Sequence, residues 1–361
     1  MAHDYNPGVN RSTRTLLIGA LVLGVAATVI AIALRGQRAP TMWAQKDSSV
    51  LVFSPDGKTL ATWGHGGYDL WDVATEKRRL RIETARDLDR GAIAFSPDGK
   101  LVAACTGEKL QWKLVDAETG APVCDIEGEW VGTGAEFSRD GRWLLTSSGT
   151  WDVATGKVAR RYEDARVVGF ALEGHHVLVE RGDAHREIDD LSPGAGPVRV
   201  LEDWHDTKTL TISPDGGSIA SIVSGTVRVS DLATLTTKEV LPSGLLPHGL
   251  GWRGDGKVLA VAGVNGARVI DVATGKPVVS IEGAWQTATF SPRGGVVSLA
   301  AMQPRTLLID ATTGATVREI PGSGQVVWSS DGRTLAWMPL TAGSEDSSKA
   351  VRLIDVSGMP R

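Results

Sequence analysis

Seven histidines, two cysteines and two Thr-Gly-Lys tripeptides are the residues whose types could do chemistry. His175, His176 and His185 form the one histidine cluster. A zinc or copper site there needs a further ligand at metal-binding spacing, and the sequence nominates none, so they read as surface histidines. Thr155–Lys157 and Thr274–Lys276 mimic the end of a phosphate-binding loop. No glycine stands at the required distance upstream and no Ser or Thr follows, so that chemistry is rejected. No G-x-S-x-G elbow and no H-E-x-x-H pair occurs. No catalytic residue, cofactor or metal is assigned, and the chain is read as non-enzymatic.

What must position the remaining candidates is a repeat. "FSPDGK" stands at Phe53–Lys58 and again at Phe95–Lys100. Relatives begin at Phe137, Phe170, Ile212, Trp252, Phe290 and Trp328, the one at Phe170 worn to "FALEGH". Their last glycines are 33 to 42 residues apart. A second signature alternates with the first: "WDVATE" at Trp71, "WDVATG" at Trp151, "IDVATG" at Ile270 and five looser copies. Between the two lie short apolar runs such as Leu101–Ala104 and Val258–Val261. A period near 40 with two turn signals per unit predicts four short strands per repeat. Pro sets φ at the first corner, Asp bonds to local backbone, and Gly takes the left-handed position. Eight such sheets bury their faces only by packing radially, so the expectation is an all-β, eight-bladed β-propeller of four-stranded antiparallel blades. The last repeat ends after its third strand. Residues 41–45 (Thr41–Gln45) precede the first blade and are expected to complete the eighth, making residues 41–361 one closed ring. Cys105 and Cys124 then fall two strand spacings apart, about 9.5 Å. That is beyond the roughly 7 Å a disulfide spans, and both are expected to be free thiols.

The corners and the Trp71–Asp72 and Trp151–Asp152 pairs resemble the WD-repeat β-propeller family over residues 41–361. Two departures stand out: Trp fills two of eight WD positions, and the family's Gly-His has no counterpart. The chain is similar to a divergent, bacterial-style member. "DVATGK" also resembles a turn of quinone-binding eight-bladed propellers. The first resemblance implies a non-enzymatic scaffold for protein–protein interaction. The second implies a small-molecule or quinone-binding propeller, possibly an enzyme, with its site at the channel mouth.

In an up-and-down blade the a–b and c–d turns share one face of the disc, and the b–c and d–a loops share the other. Here the turn face repeats itself eight times, while the loop face varies, and variable loops are where a site is built. Trp130, Trp204 and Trp285 occupy one phase on that loop face. They read either as binding hot spots or as wedges between neighbouring blades. With Trp63, His65 and Arg305 they form the candidate partner-binding set. "EKRRLRIE" at Glu76–Glu83 is a basic rim that reads as a charge-protected edge strand, or alternatively as a contact for acidic lipid heads.

One segment lies outside the repeat. Residues 15–34 (Thr15–Leu34) carry no charge and, as a helix, measure about 30 Å, the thickness of a bilayer core. The run is longer than a signal peptide's apolar region, and "RGQRAP" is a poor cleavage site, so an uncleaved transmembrane helix is expected. A short tail (1–14) and a linker (35–40) flank it. Ala20, Gly24 and Thr28 read as small residues scattered through an Ala-rich span rather than a helix contact face. Basic residues on its two sides do not decide orientation. Insertion with the tail inside makes a single-pass protein whose propeller is extracytoplasmic. Residues 1–46 hold five basic and one acidic side chain; with a chain total of −4, the remainder carries −8. A domain that acidic does not suit nucleic acid, so the expected partners are another protein, in a membrane complex, and the membrane itself through residues 15–34.

Overall fold

The computed structural model describes residues 41–43, 50–64, 66–84, 92–106, 111–126, 134–146, 148–162, 165–172, 174–182, 185–192, 195, 197–201, 207–241, 244–301, 304–339 and 350–360. The expected span at 15–34 lies outside the described residues. Among those described, no helix is long and apolar enough to cross a membrane.

Thr41–Arg361 forms one compact unit of eight four-stranded antiparallel sheets. In chain order, blade one is Leu51–Phe53, Thr59–Gly64, Gly67–Asp72 and Arg78–Glu83, strands a to d. Blade two is Ile93–Phe95, Leu101–Cys105, Trp112–Asp116 and Pro122–Asp125; blade three is Ala135–Phe137, Trp143–Thr146, Gly149–Asp152 and Val158–Arg161. Blade four is Ala165–Ala171, His176–Arg181, His185–Asp190 and Pro197–Leu201; blade five is Thr207–Ile212, Ser218–Val223, Thr226–Asp231 and Thr237–Leu241. Blade six is Pro247–Trp252, Val258–Gly263, Gly266–Asp271 and Lys276–Ile281; blade seven is Trp285–Phe290, Val296–Ala301, Arg305–Asp310 and Thr316–Pro321. Blade eight takes Gly324–Trp328, Thr334–Pro339 and Ala350–Asp355 from the end of the chain, and its fourth strand, Thr41–Trp43, from near the beginning.

The register of that fourth strand is Thr41 opposite Arg352, Met42 opposite Val351 and Trp43 opposite Ala350. Strand c of blade eight runs from the loop face at Ala350 to the turn face at Asp355. Thr41 is therefore nearer the turn face than Trp43.

The core lies between blades. Strands b are buried on both faces, as in Val258–Gly263 and Val296–Ala301, which explains why they read as unbroken apolar runs rather than alternations. Strands d are largely exposed at the rim. The described buried apolar side chains gather into eight clusters, one at each junction between neighbours, including blade eight against blade one. In that last cluster Leu51, Leu60 and Trp71 meet Ala336, Met338, Val351 and Leu353. The Trp-rich composition goes here: all nine tryptophans whose side chains are described are under 9% exposed, among them Trp112, Trp151 and Trp285.

Both turn signals work through their carboxylates. At the first corner Ser54 Oγ donates to Asp56 Oδ1 at 2.6 Å, and Asp56 Oδ1 accepts the Lys58 N–H at 3.0 Å. Ser54 Oγ accepts from Thr59 N at 2.9 Å, and Gly57 closes the turn at φ 71°. The same Ser–Asp bond recurs at Ser96, Ser138, Ser213 and Ser329. At the second turn Asp72 Oδ1 accepts both the N–H and the hydroxyl of Thr75 at 2.7 Å. Equivalent pairs are Asp116–Thr119, Asp152–Thr155, Asp231–Thr234 and Asp271–Thr274. The Thr-Gly-Lys tripeptides are thus turn residues.

Candidate functional site

Neighbouring turn-face corners touch. A Cβ placed on Gly99 would lie 3.8 Å from Pro55, and one on Gly141 3.6 Å from Pro97. At these two corners the Pro of one blade therefore sits against the glycine of the next. This regularity breaks at blades three and four. Blade three carries Arg139 where Pro is usual, and blade four carries the worn "FALEGH" corner, with Leu172 at φ 50°. Arg139 reaches past blade four and donates from Nη2 to the Pro214 carbonyl at 2.6 Å. Leu172 exchanges backbone contact with the blade-five corner, its N–H donating to Gly216 O at 2.8 Å.

Behind this break lies a cavity of about 560 Å³, bounded by the a strands and corners of blades three, four and five. Its walls include Val168, Phe170, Leu210 and Ile212, and its mouth Arg139 and Asp215. A bulge in strand a of blade four, between Val167 and Gly169, shapes the wall. Gly169 keeps the space open, since a Cβ there would meet Ile212 Cδ1 at 3.1 Å and Glu136 Oε2 at 3.6 Å. The Glu136 side chain is exposed to solvent, and partial loss of hydration raises its carboxyl above the ordinary value.

The loop face holds a second feature. Leu246, in the loop before blade six, is 53% exposed and sits at φ 50°, a conformation costly for a leucine. Val264, in the b–c turn of the same blade, is 37% exposed and donates its N–H to Leu246 O at 3.2 Å. Asn265 ties the two loops together through Gly244 O at 2.8 Å.

Of the residues singled out from sequence, Trp130, Trp204 and His65 lie outside the described residues. Trp285 is the first residue of strand a in blade seven, 1% exposed and packed in the cluster between blades six and seven. Its indole N–H donates to Glu282 O at 3.1 Å, and the Arg305 guanidinium lies 5.1 Å from its ring centroid. These two called residues therefore meet, with Trp285 as the wedge and half-buried Arg305 as its cover. Trp63 is on blade one, 3% exposed, its ring 4.7 Å from Tyr68. Tyr68 in turn donates to Ala92 O at 2.9 Å and pins blade one to blade two, and burial pushes its phenol up.

Among the described residues no group of three His, Cys, Asp or Glu could hold a metal. His175 is exposed, its ring centroid 6.1 Å from that of His176. Cys105 and Cys124 are both free; burial pushes the Cys105 thiol up to about 11, which keeps it protonated and inert as a nucleophile. The basic rim is internally paired. Arg81 and Arg78 meet Asp69 at 3.0 and 3.4 Å, and Arg79 meets Glu118 at 2.6 Å.

These features define an eight-bladed β-propeller. No protein-family model and no curated protein sequence matches the chain. Many solved structures resemble it, among them the following two. One is the β-propeller domain of Cps50 (Swd1) from Myceliophteria thermophila, with TM-score 0.53 and 18% identity over 74% of this chain and 96% of that one. The other is the dihydro-heme d1 dehydrogenase NirN in complex with DHE, with TM-score 0.63 and 19% identity over 86% of this chain and 74% of that one. At such identities the likeness establishes the propeller fold and nothing finer.

The turn-face cavity, Glu136 and the Leu246–Val264 patch were not singled out from sequence. The signal for the cavity was present: Arg139 and "FALEGH" are where the corner repeat fails twice in succession. For the patch there was none, since an exposed leucine in a loop looks like any other.

Proposed function

We propose that this protein is a membrane-anchored, non-enzymatic β-propeller that docks another protein on its b–c/d–a loop face, with residues 15–34 as the anchor and the propeller outside the cytoplasm. The observation that carries the reading is the Leu246–Val264 pair. Two apolar side chains are held out to water by loops knitted with three hydrogen bonds, and one sits at an unfavourable φ. Strain kept at an exposed apolar residue is what a binding surface uses and a bare surface discards.

A photo-crosslinking residue at position 264 tests this in the full chain in its native membrane, against one at Thr234 on the turn face. The account expects a discrete protein adduct from position 264 alone. Leu246→Asn, which suits the left-handed backbone but removes the apolar surface, abolishes it while the melting temperature stays within a few degrees. Equal adducts from both faces, or an adduct indifferent to Leu246→Asn, would contradict the loop-face assignment.

A further inference from the structure

We propose that the partner docked on the loop face is an acidic protein segment, an aliphatic or aromatic side chain seated on Leu246 and Val264 with carboxylates beside it meeting the Arg268 and Arg305 guanidiniums. The assignment rests on the loop-face docking reading and adds the chemistry of the partner.

Charge is not spread evenly around the loop face. In each of blades five to eight, one of the first three residues of strand c, the end nearest that face, is an arginine: Arg228, Arg268, Arg305 and Arg352. No Asp or Glu stands at those positions. In the other half of the ring the charged residues there are Asp69, Lys113, Arg186 and Glu187. Each has an ion pair of its own, with Arg81, Asp125, Glu180 and Arg181 in turn. The four arginines of blades five to eight have no carboxylate partner among the described residues. They stand against the overall sign of a domain that carries −8.

Two of the four flank the apolar pair, which belongs to the two loops of blade six. Arg268 is at the junction with blade five and turns back toward those loops. Its Nη1 donates to the Ala267 carbonyl at 2.9 Å and lies 2.8 Å from where a Cβ on Gly266 would stand; Leu245 Cδ1 is 3.6 Å from the same point. Arg305 is at the junction with blade seven. Its Nη2 lies 3.3 Å from where a Cβ on Gly283 would stand, its guanidinium covers Trp285, and its buried Nε has no acceptor. Gly266 also approaches the Ile281 carbonyl, 2.7 Å from the same Cβ position, so the loop bearing Gly283 starts beside it. Glu282 in that loop is exposed and pairs with neither arginine.

A guanidinium is permanently charged and offers a planar fork of donors that matches a carboxylate. A basic segment would be repelled by both. A wholly apolar one would cover Leu246 and Val264 but would bury N–H donors without acceptors, which is costly. Nucleic acid needs a dense basic track, whereas these arginines stand one to a blade on an acidic domain. A segment with an apolar anchor between carboxylates satisfies the pair and both cations.

Panning a phage-displayed library of random dodecapeptides on the full chain in a non-ionic detergent tests this. The comparison targets are Leu246→Asn, Arg268→Gln and the double variant Arg268→Gln with Arg305→Gln. Arg268→Gln is run alone because the Arg305 change also uncovers Trp285; unchanged circular dichroism and melting temperature qualify each variant. Enriched peptides are expected to place Asp or Glu beside an aliphatic or aromatic residue. The most enriched, made synthetically, should bind about ten-fold weaker to the double variant and to Leu246→Asn, and about three-fold weaker to Arg268→Gln. Peptides that need Leu246 but show no excess of Asp and Glu, or that bind both arginine variants as tightly as the unsubstituted chain, would overturn the acidic assignment and leave the docking surface standing. Poly-glutamate bound as tightly as the selected peptide would also overturn it, leaving a general anion contact. Failure to enrich any peptide sensitive to Leu246→Asn would overturn both.

Discussion

Six carboxylates at the first corner and others at the second turn carry much of the turn chemistry, and each is tuned by its own neighbours. Hydrogen bonds from the Ser54, Ser96 and Ser213 hydroxyls hold Asp56, Asp98 and Asp215 below the usual carboxylate range. Bonds from Thr75 do the same for Asp72, chiefly through the hydroxyl, and from Thr313 for Asp310, chiefly through the backbone N–H. A carboxyl depressed in the folded state contributes stability that is complete above its unfolded value, about 3.9, and is lost as pH falls through the folded value. The urea midpoint should therefore be flat from pH 7 to about pH 5 and fall steeply below about pH 4. A midpoint that held or rose at pH 3 would contradict this. A second test concerns the left-handed position that closes the c–d turn. Gly120, Gly156, Gly275 and Gly314 take it in blades two, three, six and seven, but Glu76 and Leu235 take it in blades one and five, at φ 58° and 59°. A left-handed non-glycine costs about 1–2 kcal/mol, and glycine gives back roughly half of that as unfolded-state entropy. Glu76→Gly and Leu235→Gly should each raise stability by about 0.5–1 kcal/mol in denaturant unfolding. A loss in both would mean the side chains hold something in place.

At the scale of elements, strand a of blade six shows how close two blades come. A Cβ on Gly251 would lie 2.2 Å from the Ala288 carbonyl oxygen in blade seven, and one on Gly249 2.6 Å from that of Gln286. Here the neighbour's backbone, not a side chain, fills the place of the Cβ. Gly251→Ala should cost about 1–3 kcal/mol, because backbone and not a flexible tip must move. Gly358→Ala, with nothing within 4 Å of the added methyl, should be near neutral. Matching effects at the two positions would refute the close approach. Elements were also the most legible level in the sequence. Corner glycines 57, 99, 141, 174, 216, 256, 294 and 332 all adopt positive φ, because Ser-Pro-Asp-Gly determines its own geometry within six residues. The fate of individual side chains was not legible. Trp285 and Trp63 sit at loop-face ends of strands where the pattern equally allowed exposure, and what buries them comes from the neighbouring blade or from the ring of Tyr68. Glu136 went unremarked because one carboxylate in "AEF" is invisible until eight such strands are set around one axis.

For the whole molecule, the ring depends on closure between chain segments some 300 residues apart. Seven blades are continuous in sequence, and their junctions need only successive neighbours. The eighth draws Thr41–Trp43 to Ala350–Asp355, and the Leu51–Trp71–Val351 cluster seals it to blade one. Ser330 Oγ donating to the Pro55 carbonyl closes the corners of the turn face. Without these contacts two blades would present open edges, and the division into a turn face and a loop face, on which the proposed docking surface rests, would lose its axis. The direct test is a cysteine pair, Met42→Cys with Val351→Cys, in the full chain. Directly opposed residues on antiparallel strands place their Cβ atoms about 4.5–5.5 Å apart, near enough to be bridged. Mild oxidation should give a 42–351 crosslink in tryptic mass spectra, while Met42→Cys with Asp355→Cys, four residues out of register, should give none. Absence of the first crosslink, or equal yield from both pairs, would contradict the closed ring.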